Sequence, residues 1–369
     1  MKILQVINSL GTGGAEKLLL ETIPMYNAMG IQVDVLLLWD NDHPFAKELR
    51  KTNSCKIFIL NESDNLKDIY KFSNIGKIRG ILKNYDIAHV HLFPAQYFVS
   101  IANLGLTKKL IFTEHSTSNK RIQSKFFSFF DKFIYRAYKK IVSISDDVTS
   151  VLKSHISNRM DDIIKIENGV NLGKIHLSKV YCKSDIDIQL VENDILICQV
   201  SAFRLGKDQL TLVRALQYLP ENYKLILVGD GDQLEIEKVK NLIEKLELSS
   251  RVKFLGNRMD IGSIVKSVDY NVLSSQWEGL SLSSIEGMAS GKPFIASDVP
   301  GLRDIVKEAG VLFPLGDAEA FARIILHLQN DESFYDTVVK QCIERAENYN
   351  ITNMVQKHID LYKEVYAKG

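Results

Sequence analysis

Short apolar runs alternate with amphipathic stretches from one end of the chain to the other. Residues 3–7, 33–38, 56–60, 87–91, 109–112 and 141–144 are compact apolar runs that read as strands of a first half. Between them, residues 15–28, 66–83 and 123–138 carry apolar positions at helical spacing. The second half repeats the rhythm, with strands at 195–200, 224–228, 252–254, 270–273 and 293–296. Between residues 171 and 193 the pattern lapses into a polar, weakly periodic stretch, which reads as an interdomain connection. Strands separated by helices of this length imply βαβ units and parallel sheets. The pattern therefore predicts an α/β fold with two Rossmann-like, doubly wound parallel-sheet domains, residues 1–170 and 171–350. Such sheets bind ligands beyond the carboxyl ends of their strands, so two of them facing across a cleft would hold a ligand there. The last segment, 351–369, is helical with no strand after it, and Met354, Val355, Ile359, Tyr362 and Val365 form its apolar stripe. It is expected to cross back to the first domain.

Composition narrows the class. The 369 residues suit two or three domains, and 46% hydrophobic with 25% charged residues excludes a disordered chain. Lys+Arg number 46 against 45 Asp+Glu, a balance that argues against a dedicated nucleic-acid binder. That balance hides an asymmetry: residues 1–170 carry 23 basic and 17 acidic side chains, residues 171–369 carry 23 and 28. A basic half hints at a charged surface or membrane partner. Cys55, Cys182, Cys198 and Cys342 form no CxxC pair and read as reduced, mostly structural thiols. No apolar run approaches the 18 or so residues of a membrane span, and the first strand is too short for a signal peptide. The expectation is a cytoplasmic protein, at most a peripheral visitor at the inner face of the membrane.

Three loops carry chemistry. Ser9 to Glu16 contains Gly11, Gly13 and Gly14 between a strand and a helix, where bare backbone and free amides can approach an anion. It is no dinucleotide fingerprint, because Glu16 stands where the third glycine would be. A tight turn with Glu16 in the first helical turn fits equally well. In the second loop, Arg204 and Lys207 flank Gly206 at a strand-to-helix junction, where two cations can grip a diphosphate. The third runs from Trp277 to Pro293, with Glu278 and Glu286 eight positions apart. Between them the amides of Gly279, Leu280, Ser281, Leu282 and Ser283 can meet a phosphate, with a carboxylate on each flank for sugar hydroxyls. Alternatively, Ser283-x-x-Glu286 is a capping box that makes Glu286 a helix-start residue. His89 and His91 alternate on one strand and could share a metal, but nothing identifies further ligands, so they read as core or cleft-edge histidines.

These pieces together resemble the family 4 retaining glycosyltransferases of GT-B fold. The matching segments are Gly13-Gly14-Ala15-Glu16, Asn168-Gly169-Val170, Phe203-Arg204-x-x-Lys207-Asp208-Gln209, Val228-Gly229-Asp230-Gly231, Phe254-Leu255-Gly256, and Glu278-x7-Glu286 with Met288-Ala289-Ser290-Gly291-Lys292-Pro293. The resemblance implies that Glu286 holds the nucleotide ribose and Glu278 the donor sugar's hydroxyls. It further implies that Arg204 and Lys207 neutralise the leaving diphosphate, that the backbone near Asn257 and Arg258 faces the base, and that Gly13 and Gly14 close over the phosphate and donor sugar. His115, after a strand end, is similar to the family's active-site histidine. No cofactor or metal is expected, since the nucleotide sugar is a substrate and Asp185-Ile186-Asp187 lies in the weakly patterned connection. Gly287 departs from the family's usual alanine and is expected to loosen the helix near the donor.

The expected activity is retaining transfer of a sugar from a nucleotide donor, a UDP-sugar, to a saccharide or lipid-linked acceptor in polysaccharide or glycan assembly. The alternatives are a nucleotide-sugar epimerase on the same fold and a silent nucleotide-sugar binder. No nucleic-acid partner is expected. Residues 120–140 add a possible partner: Lys120, Arg121, Lys125, Lys132, Arg136, Lys139 and Lys140 are interleaved with aromatics and meet one acid, Asp131. Such a helix can lie against an anionic membrane. The other reading has Phe126, Phe130, Phe133 and Ala137 packed on the sheet and the cations solvated.

Overall fold

The apolar runs of the first half become β1 (Lys2–Ile7), β2 (Gln32–Leu37), β3 (Ile57–Ile59), β4 (Ile87–His91), β5 (Lys109–Glu114), β6 (Tyr138–Ser143) and β7 (Ile163–Lys165). Those of the second become β8 (Ile195–Val200), β9 (Tyr223–Val228), β10 (Val252–Gly256), β11 (Tyr270–Leu273), β12 (Phe294–Ser297) and β13 (Val311–Phe313). The computed structural model describes residues 1–115 and 125–368, without the side chains of 125–129, 157 and 158. It divides into two compact units, Met1–Gly169 with Ile351–Gly369, and Val170–Asn350.

Each unit holds one parallel sheet, ordered β3-β2-β1-β4-β5-β6-β7 in the first and β10-β9-β8-β11-β12-β13 in the second. Both sheets start in the middle and wind outward in both directions, so each has one switch point: β1/β4 in the first, β8/β11 in the second. Ile3, Leu4, Val6, Val35 and Val90 are all buried, as are Leu225, Ile226 and Leu227. Strands covered on both faces by crossover helices read as unbroken apolar runs for this reason. A crevice forms beyond the carboxyl ends of the strands at a switch point, which makes the loops after β1, β4, β8 and β11 the places to look for chemistry.

The final helix, Ile351–Ala367, belongs to the first unit, where its stripe of Met354, Val355, Ile359, Tyr362 and Val365 is buried. Some elements differ from the sequence pattern. Residues 66–83 form a 3₁₀ turn, Leu66–Tyr70, and a separate helix, Ser73–Leu82. The Asn74 amide donates to the Asp68 and Ile69 carbonyls at 3.1 and 3.2 Å, which closes the turn before the helix begins. The third predicted helix runs from Lys125 to Arg136, with β6 starting two residues later; positions 123 and 124 lie outside the described residues.

The connection at 171–193 is not a loose linker. It carries the short helices Leu172–Leu177 and Lys183–Ile186 and lies within the second unit. There Ile186 and Leu190 pack with Leu196, Cys198, Ile226 and Ile264. All four cysteines are free thiols. No helix among the described residues is long and apolar enough to cross a membrane.

Candidate active site

The loops after β8 and β11 meet at the switch point of the second sheet. The Asp208 amide donates to the Ser274 carbonyl at 3.1 Å, and the Gln276 amide to the Gly206 carbonyl at 2.7 Å. Asp208 also accepts from the Ser274 hydroxyl at 2.9 Å while capping the helix Gln209–Ala215. Gly206 has φ +94°, and a Cβ there would lie 2.6 Å from ring carbons of Trp277, so only glycine fits this crossing. From the other side, Gly229 and Gly231 press onto the backbones of Ser201 and Phe203 with no space for a side chain. The Phe203 amide donates to the Asp230 carbonyl at 3.0 Å. The glycine-bearing motifs thus act as packing joints that hold the Arg204–Lys207 turn in place.

One consequence is an ion pair between Lys207 and Glu278, which are 71 residues apart. Their side chains are 7% and 8% exposed. Burial pulls Lys207 below the usual lysine range, Glu278 opposes that pull, and neighbouring Arg204 adds to it. Arg204 itself is exposed. Trp277 lies over Gly206 with 42% of its surface exposed, an aromatic face beside the pair that the motif reading left without a role.

The helix Leu282–Met288 follows directly. Its N-cap is Ser281, whose hydroxyl accepts from the Ser284 amide at 3.4 Å. Because Ser281 and not Ser283 is the cap, Glu286 lies in the second turn and the capping-box alternative falls away. Glu286 is buried, as are Leu280 and Ser281; Gly279, Leu282 and Ser283 are half-buried. Gly301, at φ +81°, backs onto the carbonyls of Glu278 and Gly279, so the loop before it braces the glutamate. Gly287 answers a packing need and not a need for looseness: a Cβ there would stand 2.5 Å from the Phe294 ring and 3.2 Å from the Asn271 Cβ.

Asn257 and Arg258 follow the end of β10, where Gly256 takes φ +61° and accepts the Gly229 amide at 2.8 Å. Asn257 is exposed. The Arg258 guanidinium is committed to Asp260 by bonds of 2.8 and 2.6 Å, and Tyr181 donates to the same carboxylate at 2.9 Å. Arg258 holds the Asp260 carboxyl down to about 2. The Arg258 side chain is thereby tied down within its own loop.

Gly13, Gly14 and His115 belong to the first unit. Gly13 is the N-cap of the helix Gly14–Ala28, both glycines are exposed, and the Glu16 carboxylate folds back against Gly13. His115 follows β5, half-buried, with Nε2 3.0 Å from His91 Nδ1. The other His91 nitrogen bonds Gln5 at 2.8 Å, and His89 bonds Tyr362 at 2.7 Å and Thr113 at 2.6 Å. With both nitrogens of each ring occupied, His89 and His91 are buried polar supports. No set of three potential ligands for a metal occurs among the described residues. Gln5 and Tyr362 bond each other and these histidines although they lie 357 positions apart, a pairing that the sequence does not show.

Two family models cover most of the chain: "Glycosyltransferase Family 4" matches residues 12–174 and "Glycosyl transferases group 1" matches residues 183–349. Among similar proteins is the Escherichia coli UDP-Gal:alpha-D-GlcNAc-diphosphoundecaprenol alpha-1,3-galactosyltransferase, 27% identical over 83% of this chain and 80% of that one. Another is a Campylobacter jejuni alpha-1,4-N-acetyl-D-galactosaminyltransferase whose name specifies a PP-undecaprenol-linked substrate, 25% identical over 99% of both chains. Anabaena HepE, solved in complex with UDP-glucose, superposes with a TM-score of 0.84 at 22% identity over 99% of this chain and 100% of that one. That last likeness concerns the fold, and the fold it concerns is GT-B. Matched half by half in the family's order, this chain belongs to the family 4 glycosyltransferases.

Proposed function

We propose that the protein is a retaining, metal-independent transferase that moves a hexosyl group from a UDP-sugar to a saccharide or lipid-linked acceptor on the cytoplasmic side of a membrane. The observation that carries this reading is the joining of Lys207 and Glu278, from two separate motifs, at the switch point of the second sheet. Arg204 and Lys207 meet the diphosphate and Glu278 the donor sugar's hydroxyls. Glu286 takes the ribose, the amides of Gly279 to Ser283 a phosphate, and the backbone at Asn257 and Arg258 the base. Gly13, Gly14 and His115 serve the reacting sugar. The bond from the anomeric carbon to the diphosphate oxygen breaks while the acceptor oxygen bonds to that carbon from the same face. The acceptor's proton passes to the departing phosphate oxygen. Preorganised cations and amides stabilise the charge that grows on the leaving group, and the sugar carbon acquires oxocarbenium character.

The family's relatives named above support a lipid-linked acceptor. Within residues 120–140, Phe130 and Phe133 are 44% and 55% exposed, and the Arg136 guanidinium lies 5.6 Å over the Phe133 ring. This exposure favours membrane contact over packing of those two rings on the sheet. Lys120 and Arg121 lie outside the described residues, and the side chains of Lys125 and Phe126 are not among those described. Flotation with anionic vesicles checks the contact; no binding at low salt removes it.

The test of function is incubation with a panel of nucleotide sugars and acceptors, following diphosphate release and product anomer by NMR. Release of UDP that depends on an acceptor, with the donor's anomeric configuration kept, is expected. An isomerised donor without transfer would make the protein an epimerase, and binding without turnover a silent module.

A further inference from the structure

His115 is the outer end of a file of hydrogen-bonded side chains that begins on the C-terminal helix. Tyr362 of that helix accepts from Gln5 Nε2 at 3.0 Å, and the Gln5 carbonyl Oε1 faces His91 Nε2 at 2.8 Å. His91 Nδ1 then meets His115 Nε2 at 3.0 Å. On its other side Tyr362 bonds His89 Nδ1 at 2.7 Å, and His89 Nε2 bonds Thr113 at 2.6 Å. An amide oxygen carries no hydrogen, so His91 must present Nε2–H to Gln5. A neutral ring then has a bare Nδ1, and the hydrogen between the two rings belongs to His115.

Neutrality is what the surroundings favour. The groups around the file are His358, Tyr26, Thr22 and Asn168, with no carboxylate or cation among the described residues lining the space. Burial and the neighbouring imidazoles hold His91 well below the usual histidine range and His115 down to about 4. The space among these side chains, about 20 Å³, holds a water and no sugar, so the file supports a site and is not one itself.

We propose that His91, oriented by Gln5 and Tyr362, fixes His115 as the Nε2–H tautomer, so that His115 meets the substrate as a hydrogen-bond acceptor through Nδ1. His91, Gln5 and Tyr362 are positioning residues, and the inference rests on the active-site role of His115 proposed above. A sugar hydroxyl donates to His115, and His115 does not serve as a proton donor at neutral pH. The C-terminal helix thereby becomes part of the catalytic apparatus through one phenol.

The test is a long-range proton–nitrogen NMR correlation on the nitrogen-labelled full chain at pH 7, with the His115 signals identified by their loss in His115→Gln. A protonated Nε2 and a bare Nδ1 are expected; an Nδ1–H tautomer or an even mixture overturns the proposal. Tyr362→Phe, a mild change, removes the acceptor that orients the Gln5 amide. The His115 signals should then move towards the tautomer average, and kcat should fall about tenfold with the donor KM unchanged. Unmoved signals in Tyr362→Phe overturn the relay. Undiminished turnover in His115→Gln would instead sink the active-site role of His115 and leave the tautomer result standing.

Discussion

Replacing Glu278 by glutamine leaves Lys207 charged, buried and without its counter-ion. Both side chains are more than nine-tenths covered in the second unit. Removing one partner of a buried pair costs about 3–5 kcal/mol, because the remaining charge has left water and gained nothing in return. For a unit of this size each kcal/mol lowers the melting temperature by about 2–4 °C, so Glu278→Gln should lower that of the Val170–Asn350 unit by roughly 6–20 °C. Differential scanning calorimetry reads this directly. Lys207→Met with Glu278→Leu removes both charges and should recover most of the loss.

The pH dependence has a definite sign. Burial depresses Lys207, and Glu278 is what opposes the depression, so the variant's lysine falls further. A lysine depressed in the fold weakens the fold fully at pH below its folded value. The penalty fades as pH rises through that value towards the unfolded lysine's, about 10.4. The deficit of Glu278→Gln should therefore shrink between pH 7 and pH 10. A loss below about 1 kcal/mol, the size of an exposed pair, or a deficit that grows with pH, would show that the pair is not buried as an ion pair.

Other substitutions probe the joints of the site. Gly206→Ala forces a left-handed backbone on alanine at a cost of about 1–3 kcal/mol and drives a methyl into Trp277. UDP affinity should fall as the Lys207 turn shifts, measured by calorimetry beside circular dichroism of the fold. Gly287→Ala should destabilise despite its better helix propensity, since overpacking against Phe294 costs about 1–3 kcal/mol and the propensity gain is about 0.5–1. Adding Phe294→Leu should restore the midpoint of urea unfolding; a Gly287→Ala protein more stable than wild type would contradict the packing argument.

Long elements in the middle of each sheet were legible from pattern alone, because strands buried on both faces leave unbroken apolar runs. The edge strands β7 and β13 span three residues each and stand in shorter apolar runs than the equally short β3, which continues into Leu60. Ile186 and Leu190 gave no signal for the same kind of reason: isolated apolar residues in a polar stretch become core only when a sheet lies beneath them. The chemistry-bearing residues stood out by motif, yet their pairing did not. Lys207 reads as a diphosphate-gripping cation in one segment and Glu278 as a sugar ligand in another, and strand order alone makes them partners. His91 looked like an ordinary core histidine and is one, but it touches His115. Gly287 looked like a weakened helix because propensity is local, while the Phe294 ring that demands glycine comes from the next strand.

The β8/β11 switch point is proposed to bind the nucleotide of the donor. Calorimetric titration of UDP into the wild-type chain, Glu286→Ala and Lys207→Ala, each checked for folding, tests it most directly. Saturable binding by the wild type is predicted, with affinity reduced about tenfold or more in each variant, equivalent to about 1.4 kcal/mol. Wild-type affinity in both folded variants would place the nucleotide elsewhere.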